Sequence, residues 1–267
     1  MGVIFKYIHD NIALHYEHDD NPNQANFTMH THSIYELYCF LGGNAVYHVE
    51  GTSYPLKKGD ILIMRPLEAH YITLDCTVPY TRLSIHFRPE LLDGINPQKE
   101  LLIPYNCREN GTHNLYRAQN SSKSIYSFFI DRIITSAADE GLQAATSLPS
   151  LLFEIYKAFK NIEKNETEHS IDYYIIDYIN KHISEDISIN KLCNEFFISE
   201  SQLSRIFKKA TGTTVWAYVT TKRLMNAHQL ILSGISPTAA YSDCGFKDYS
   251  TFFRAYKKKY GVPPSRH

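Results

Sequence analysis

The chain has 267 residues, 43% hydrophobic and 21% charged, with a formal net charge of −1, enough length and apolar content for one large domain or two ordinary ones. No apolar run reaches the roughly 18 residues of a membrane span, and the start MGVIFKYIHD has neither an h-region nor a small-residue cleavage site, so a soluble, cytoplasmic protein without membrane contact is expected. Five cysteines, odd in number and without a C-x-x-C pair, argue against a disulfide framework or zinc ribbon and are expected to be buried thiols.

From about residue 5 to 88 short β-rich runs, YELYCFL, NAVYHVE, DILIMR and RLSIHF, are punctuated by GG, EG and KKG. This is the pattern of a small antiparallel barrel or sandwich. Within it, HTHSIYE places His30, His32 and Glu36 at even positions, which on a strand point to one side. Two imidazoles and a carboxylate are residue types that hold metals or hydrogen-bond a small polar molecule. Many of the 20 tyrosines lie in or near these runs, at Tyr35, Tyr38, Tyr47, Tyr54, Tyr71 and Tyr80. Hydroxyl-bearing rings suit a sugar or an aromatic acid, although tyrosine is also an ordinary strand residue.

From about 122 to 163 the period becomes helical. Ile125, Phe129, Ile133 and Ala137 recur every four residues, and Leu148, Leu151, Leu152, Ile155, Tyr156, Phe159 and Ile162 form a second stripe. Both stripes suit helices that cover the barrel. The second is also long enough to seat a partner's helix, which predicts a homodimer seam through Leu148, Leu151, Leu152, Ile155 and Phe159. The polar stretch KNETEHS, 164–170, has no such period and reads as a linker.

Beyond it the charge changes sign. Residues 171–267 hold 13 Lys+Arg and 8 Asp+Glu, net +5, against net −6 for residues 1–170. The basic part contains two similar blocks, SINKLCNEFFISESQLSRIFKKATG and SPTAAYSDCGFKDYSTFFRAYKKKYG. In the first, Ser199 and Gln202 form a capping box that starts a helix. Its core face is Leu203, Phe207 and Ala210, leaving Ser201, Gln202, Ser204, Arg205, Lys208 and Lys209 outward. In the second, Asp248 caps a helix with Phe252 and Tyr256 inward and Ser250, Thr251, Arg254, Lys257 and Lys258 outward. Gly212 and Gly261 end the two as left-handed caps. Each block is a helix, a turn and a helix with a basic face suited to base edges and phosphates, that is, a helix-turn-helix unit.

LSRIFKKATG, a connecting helix from about 216 to 233 with Arg223 and Ala227, and GFKDYSTFFRAYKKKYGVPP together closely resemble the DNA-binding domain of AraC-type transcription regulators, over roughly residues 175–266. One departure is that either Tyr241 stands where the family usually has a small residue or this chain carries one extra residue before Gly245. The resemblance implies two recognition helices entering successive major-groove segments of double-stranded DNA. Many members carry an N-terminal cupin barrel that senses a small molecule, and HTHSIYELYCFLGG resembles the cupin pattern H-x-H-x3-E-x6-G through His30, His32, Glu36 and Gly43. The looser second cupin motif, GDILIMRPLEAH, supplies Gly59, Pro66 and His70, with Glu68 where enzymatic cupins usually have glycine.

The resemblance therefore implies an α+β multidomain chain: a cupin-like barrel over 1–95, a connecting segment with dimerisation helices over 96–163, the linker, and an all-α paired helix-turn-helix domain over 171–267. His30, His32, Glu36, Tyr38 and His70 are expected to bind an effector. His30, His32, Glu36 and His70 could instead hold Zn, Fe, Mn or Ni, but regulatory cupins commonly keep such residues as hydrogen-bonding groups, so no metal, cofactor or catalysis is expected. His48 and His86 read as ordinary barrel residues. The function implied is ligand-responsive, sequence-specific regulation of transcription, with a sugar ranked above other small metabolites as effector. A metal-dependent cupin enzyme fused to a DNA-binding domain, and a constitutive DNA binder with a scaffold barrel, are the alternatives.

Overall fold

The computed structural model describes residues 2–118, 124–135, 142–162 and 170–266. The β-rich runs form antiparallel strands: β1 Gly2–His9, β2 Ile12–Asp19, β3 Tyr35–Gly42, β4 Ala45–Val49, β5 Thr52–Pro55, β6 Ile61–Met64, β7 His70–Leu74 and β8 Tyr80–Phe87, joined later in the chain by β9 Leu115–Tyr116. One sheet has the order β1-β2-β8-β3-β6-β9 and the other β5-β4-β7. The central strand β3 is almost wholly buried because it has apolar neighbours on both faces. Leu37 and Cys39 point to one side, toward Ile61, Ile63 and Ile85. Tyr38 and Phe40 point to the other, into the space between the sheets with Tyr47, Leu62 and Ile72. Glu36 shares the parity of Tyr38, so it faces the interior of the sandwich.

The outer face of the larger sheet is covered by α1 Ile103–Asn106, α2 Ile125–Ile134 and α3 Leu142–Lys160. Two sequence expectations are corrected here. In α2 the core face is Tyr126, Ile130 and Ile133, whereas Ile125 is about half exposed; Ala137 lies outside the described residues. In α3, Leu148, Leu151, Leu152 and Ile155 are completely buried against the protomer's own sheet and helices, and Phe159 packs partly against them. The stripe is intramolecular core, so those leucines cannot also form a dimer seam. The cysteines differ from expectation too: Cys39 and Cys244 are buried, while Cys76 and Cys107 are exposed.

The predicted linker falls outside the described residues except Ser170, which precedes α4 Ile171–Lys181. The chain continues with α5 Ile189–Phe196, α6 Glu200–Thr211, α7 Val215–Leu232, α8 Pro237–Asp243 and α9 Tyr249–Tyr260. The capping box at Ser199 and Gln202 is formed, and Gly212 and Gly261 take φ of 71° and 77°. α4, α5, α6 and the first half of α7 surround one core with Leu192, Leu203, Phe207 and Tyr218. The second half of α7, α8 and α9 surround another, with Ala227, Ala240, Phe252 and Tyr256. Tyr241 is accommodated by ring contacts with Tyr249 and Phe252.

Arg223 on α7 joins the two cores. It is largely buried and donates to the carbonyls of Ile183, Glu185 and Gly245 at 2.8, 2.6 and 2.7 Å. Gly245 has φ 81°, and a Cβ there would lie 2.6 Å from the Ser184 carbonyl oxygen, so this turn admits only glycine. Among the described residues no helix is long and apolar enough to cross a membrane.

Candidate effector site and DNA-reading surface

His30, His32, Glu36 and His70 do come together, by a route the strand-parity reading missed. His30 makes only an isolated bridge with His70, and the strand begins at Tyr35. His30 and His32 precede the strand and His70 opens β7, and local hydrogen bonds orient all three rings. His32 Nδ1 donates to the Ile34 carbonyl at 2.8 Å, His30 Nδ1 to that of Thr28 at 2.9 Å, and His70 Nδ1 to that of Glu68 at 2.8 Å. A carbonyl can only accept, so each Nδ1 carries the proton and each Nε2 is left for the site.

Glu36 Oε2 is the common focus. It lies 2.8 Å from His32 Nε2, 3.2 Å from His70 Nε2 and 3.7 Å from His86 Nε2. His86 was read as an ordinary barrel residue; the β3–β8 register instead sets it directly opposite Glu36. His48 fulfils the plain reading, bonded to Ser53 and Thr73 hydroxyls. Burial pushes the Glu36 carboxyl up, but contact with His32 and His70 and the charge of His86 outweigh it and hold the group well below the usual carboxylate range. Burial alone would lower His70, yet contact with Glu36 raises it. His30 and His86 are both pushed down to about 4, chiefly by burial.

Glu68, the departure from the enzymatic cupin pattern, is a buried anchor. Its carboxylate takes two 2.7 Å bonds from Arg108 and one at 3.1 Å from the Gly111 N–H. Burial raises this carboxyl, and the Arg108 charge and hydrogen bonds more than reverse that. The turn that leads into His70 is thereby tied to the segment 108–111.

A cavity of about 300 Å³ opens beside the histidines, lined by Asn26, Phe27, Thr28, His30, Glu36, Tyr47, Ile72 and Arg82. Tyr38 does not line it. Its side chain is sealed in the inter-sheet core, and its hydroxyl is bonded to that of Tyr80 at 2.6 Å. The sequence reading missed Arg82, whose guanidinium makes 2.9 and 2.7 Å bonds to Glu17 and lies 5.4 Å from the Phe27 ring centroid. Only its place in β8, opposite Phe40 and Glu17 in the neighbouring strands, brings it there.

On the helical side every residue assigned to DNA reading is exposed: Ser201, Gln202, Ser204, Arg205, Lys208 and Lys209 on α6, and Ser250, Thr251, Arg254, Lys257 and Lys258 on α9. Gln202 spends its side-chain oxygen on the Ser199 N–H and hydroxyl, which leaves its amide donors for a base edge. Asp248 accepts from Thr251 N–H at 2.7 Å and fixes the start of α9.

A β-sandwich enclosing a polar cavity, joined to two helix-turn-helix units on one connecting helix, defines a sensor–reader DNA-binding protein. The model of an AraC-like ligand binding domain matches residues 12–130, and that of a helix-turn-helix domain matches 192–267. The chain is 24% identical over 260 residues to the HTH-type transcriptional activator RhaS of Yersinia pseudotuberculosis, covering 90% of this chain and 89% of that one. It is 30% identical over 131 residues to the probable transcriptional regulator LumQ of Photobacterium leiognathi, where the match spans 49% of this chain and 53% of the other. Among solved structures ToxT of Vibrio cholerae aligns over 96% of this chain and 97% of its own, at 12% identity and a TM-score of 0.43. The chain belongs to the AraC-type family of ligand-responsive transcription regulators.

Proposed function

We propose that the effector is a neutral, polyhydroxylated small molecule of the sugar class, bound in the cavity beside Glu36, and that its binding changes how the two helix-turn-helix units engage promoter DNA. The observation that carries this reading is the cavity's charge balance. Arg82 is already neutralised by Glu17 in a two-bond pair, and Glu36 adds a carboxylate to the lining, so neither charged group calls for an anionic ligand. What remains for a ligand is a wall of hydrogen-bonding groups with the Phe27 and Tyr47 rings, which suits hydroxyls over an apolar sugar face better than a free carboxylate. A scaffold barrel filled by its own side chains would lack such a space.

Two copies acting in the cytoplasm complete the proposal. The seam is the exposed face of α2 and α3, where Ile125, Phe128, Leu142 and Phe153 stay about half or more exposed, because a regulator reading two half-sites gains from a symmetric partner. No turnover is proposed.

The test is promoter-fragment binding by the full-length protein across a panel of sugars, with aromatic acids for contrast. One sugar class is expected to shift DNA affinity, and Glu36→Gln with His70→Ala is expected to abolish that shift while DNA binding persists. A shift that survives the double substitution places the effector elsewhere.

A further inference from the structure

We infer that His32, Glu36 and His86 form a site for one divalent first-row transition-metal ion, with His70 beside Glu36 and His30 outside the coordination sphere. This set differs from the one implied by the motif resemblance, which uses His30 and His70 and omits His86. It follows from position. The ligand atoms of His32, Glu36 and His86 all lie within 4.8 Å of one another, and neither His30 nor His70 joins that group.

The spacing suits an ion. Nitrogen and oxygen donors about 2.0–2.2 Å from a metal sit roughly 3–3.5 Å from each other in tetrahedral or octahedral arrangements. Glu36 Oε2 is 2.8 Å from His32 Nε2 and 3.7 Å from His86 Nε2, each within a few tenths of an ångström of that separation.

The donor chemistry suits it as well. His32 Nδ1 is committed as a donor to the Ile34 carbonyl, so Nε2 is the nitrogen turned toward the Glu36 carboxylate, 2.8 Å away, and it is the nitrogen that a metal would take. An Nδ1–H tied to a backbone carbonyl is also the usual support of a metal-bound histidine. His70 stands beside this group: its Nδ1 is bonded to the Glu68 carbonyl, and its buried Nε2 lies 3.2 Å from the same Glu36 oxygen. His30, tied to Thr28, meets His70 edge-on with ring centroids 4.3 Å apart, which leaves it a wall of the cavity.

Two imidazoles and one carboxylate on one side of an ion leave its other positions open. Glu36 also lines the 300 Å³ cavity, so an ion held by it would lie next to the ligand space and could take adjacent hydroxyls of a sugar. That last step rests on the effector reading above; the ion itself does not.

The experiment is titration of chelator-treated full-length protein with Co2+, followed by its visible d–d absorption and by calorimetry, with DNA binding as the check that each variant is folded. One Co2+ per chain is expected, displaced by Zn2+. His32→Ala and His86→Ala are expected to weaken binding at least about tenfold, and His86→Asn, which keeps size and polarity in the strand, to do the same. His30→Ala is expected to leave the affinity and spectrum unchanged. Absence of Co2+ binding at millimolar concentration overturns the inference, as does loss of binding in His30→Ala with retention in His86→Ala. If Co2+ binds as expected but no sugar alters its spectrum, the ion site stands and only the effector's approach to it fails.

Discussion

Glu50 on the β4–β5 turn and Lys222 on α7 form an ion pair of 2.6 Å, with no solvent exposure at the carboxylate, that ties the sensing sandwich to the reading helices. The same carboxylate accepts from Asn180 at 2.8 Å, from the Tyr218 hydroxyl and from the Ala69 N–H at 2.6 Å. Lys222 also donates to the Leu67 carbonyl at 2.6 Å, and Ala69 packs into the apolar core of the first helix-turn-helix unit. The loop 67–70 thus has one end in this contact and the other, His70, beside Glu36. Lys222→Met should leave a buried charge unpaired, at a cost of about 3–5 kcal/mol. Coupling between effector and DNA, about 5–150-fold in typical cases, should collapse toward one. Adding Glu50→Gln removes the stranded charge and should recover stability without recovering coupling. Paired DNA-binding isotherms with and without effector, alongside thermal melts, measure both; an unchanged coupling ratio in both variants removes this contact from the signalling route.

The outward faces of α6 and α9 carry two kinds of basic side chain, arginines suited to base edges and lysines suited to phosphates. Arg205→Ala and Arg254→Ala should each cost about 1–3 kcal/mol at the native site and relax the preferred sequence there. Removing Lys208, Lys209, Lys257 or Lys258 should weaken binding to all sequences alike and reduce the salt slope by about one per charge. Site selection and salt titration separate the two, and an undiminished sequence preference in both arginine variants would falsify the assignment of these helices.

His30 lines the cavity but stands outside the proposed ion site. His30→Ala should therefore lower effector affinity, about tenfold for a lost hydrogen bond plus packing, while DNA affinity without effector is unchanged. Calorimetry with the responding sugar decides it; equal affinity in variant and wild type would take His30 out of the pocket's working wall.

The burial of α3 predicts which substitutions unfold the protein and which act only on the proposed dimer. Leu152→Ala should cost about 2–5 kcal/mol through the cavity it leaves, with no specific effect on assembly. Phe128→Asp and Phe153→Asp should leave the fold standing but yield monomers that bind a half-site weakly. Sedimentation velocity with a melting curve for each variant is the check, and dimers that persist in the double phenylalanine variant would place the seam on another face.

What the sequence determined by itself was local. The Ser199–Gln202 capping box, the αL glycines at 212 and 261, and the division of α6 and α9 into apolar and basic faces follow from contacts within about four residues. The two reading helices were legible for that reason. The strands were legible as strands, and His30, His32, Glu36 and His70 as a group through their motif. The buried face of α2 includes Ile133 and Phe129 as expected but takes Tyr126 in place of Ile125, because both are hydrophobic and only the sheet beneath chooses between them. The burial of α3 was open for the same reason: an apolar stripe looks alike whether its own sheet or another copy covers it. Tertiary structure alone decided the rest. His86 meets Glu36 because the antiparallel register of β3 and β8 pairs residues 50 positions apart. Lys222 meets Glu50 across 172 positions of chain. Register and docking are set by the summed packing of whole elements, and no short stretch of sequence carries that sum.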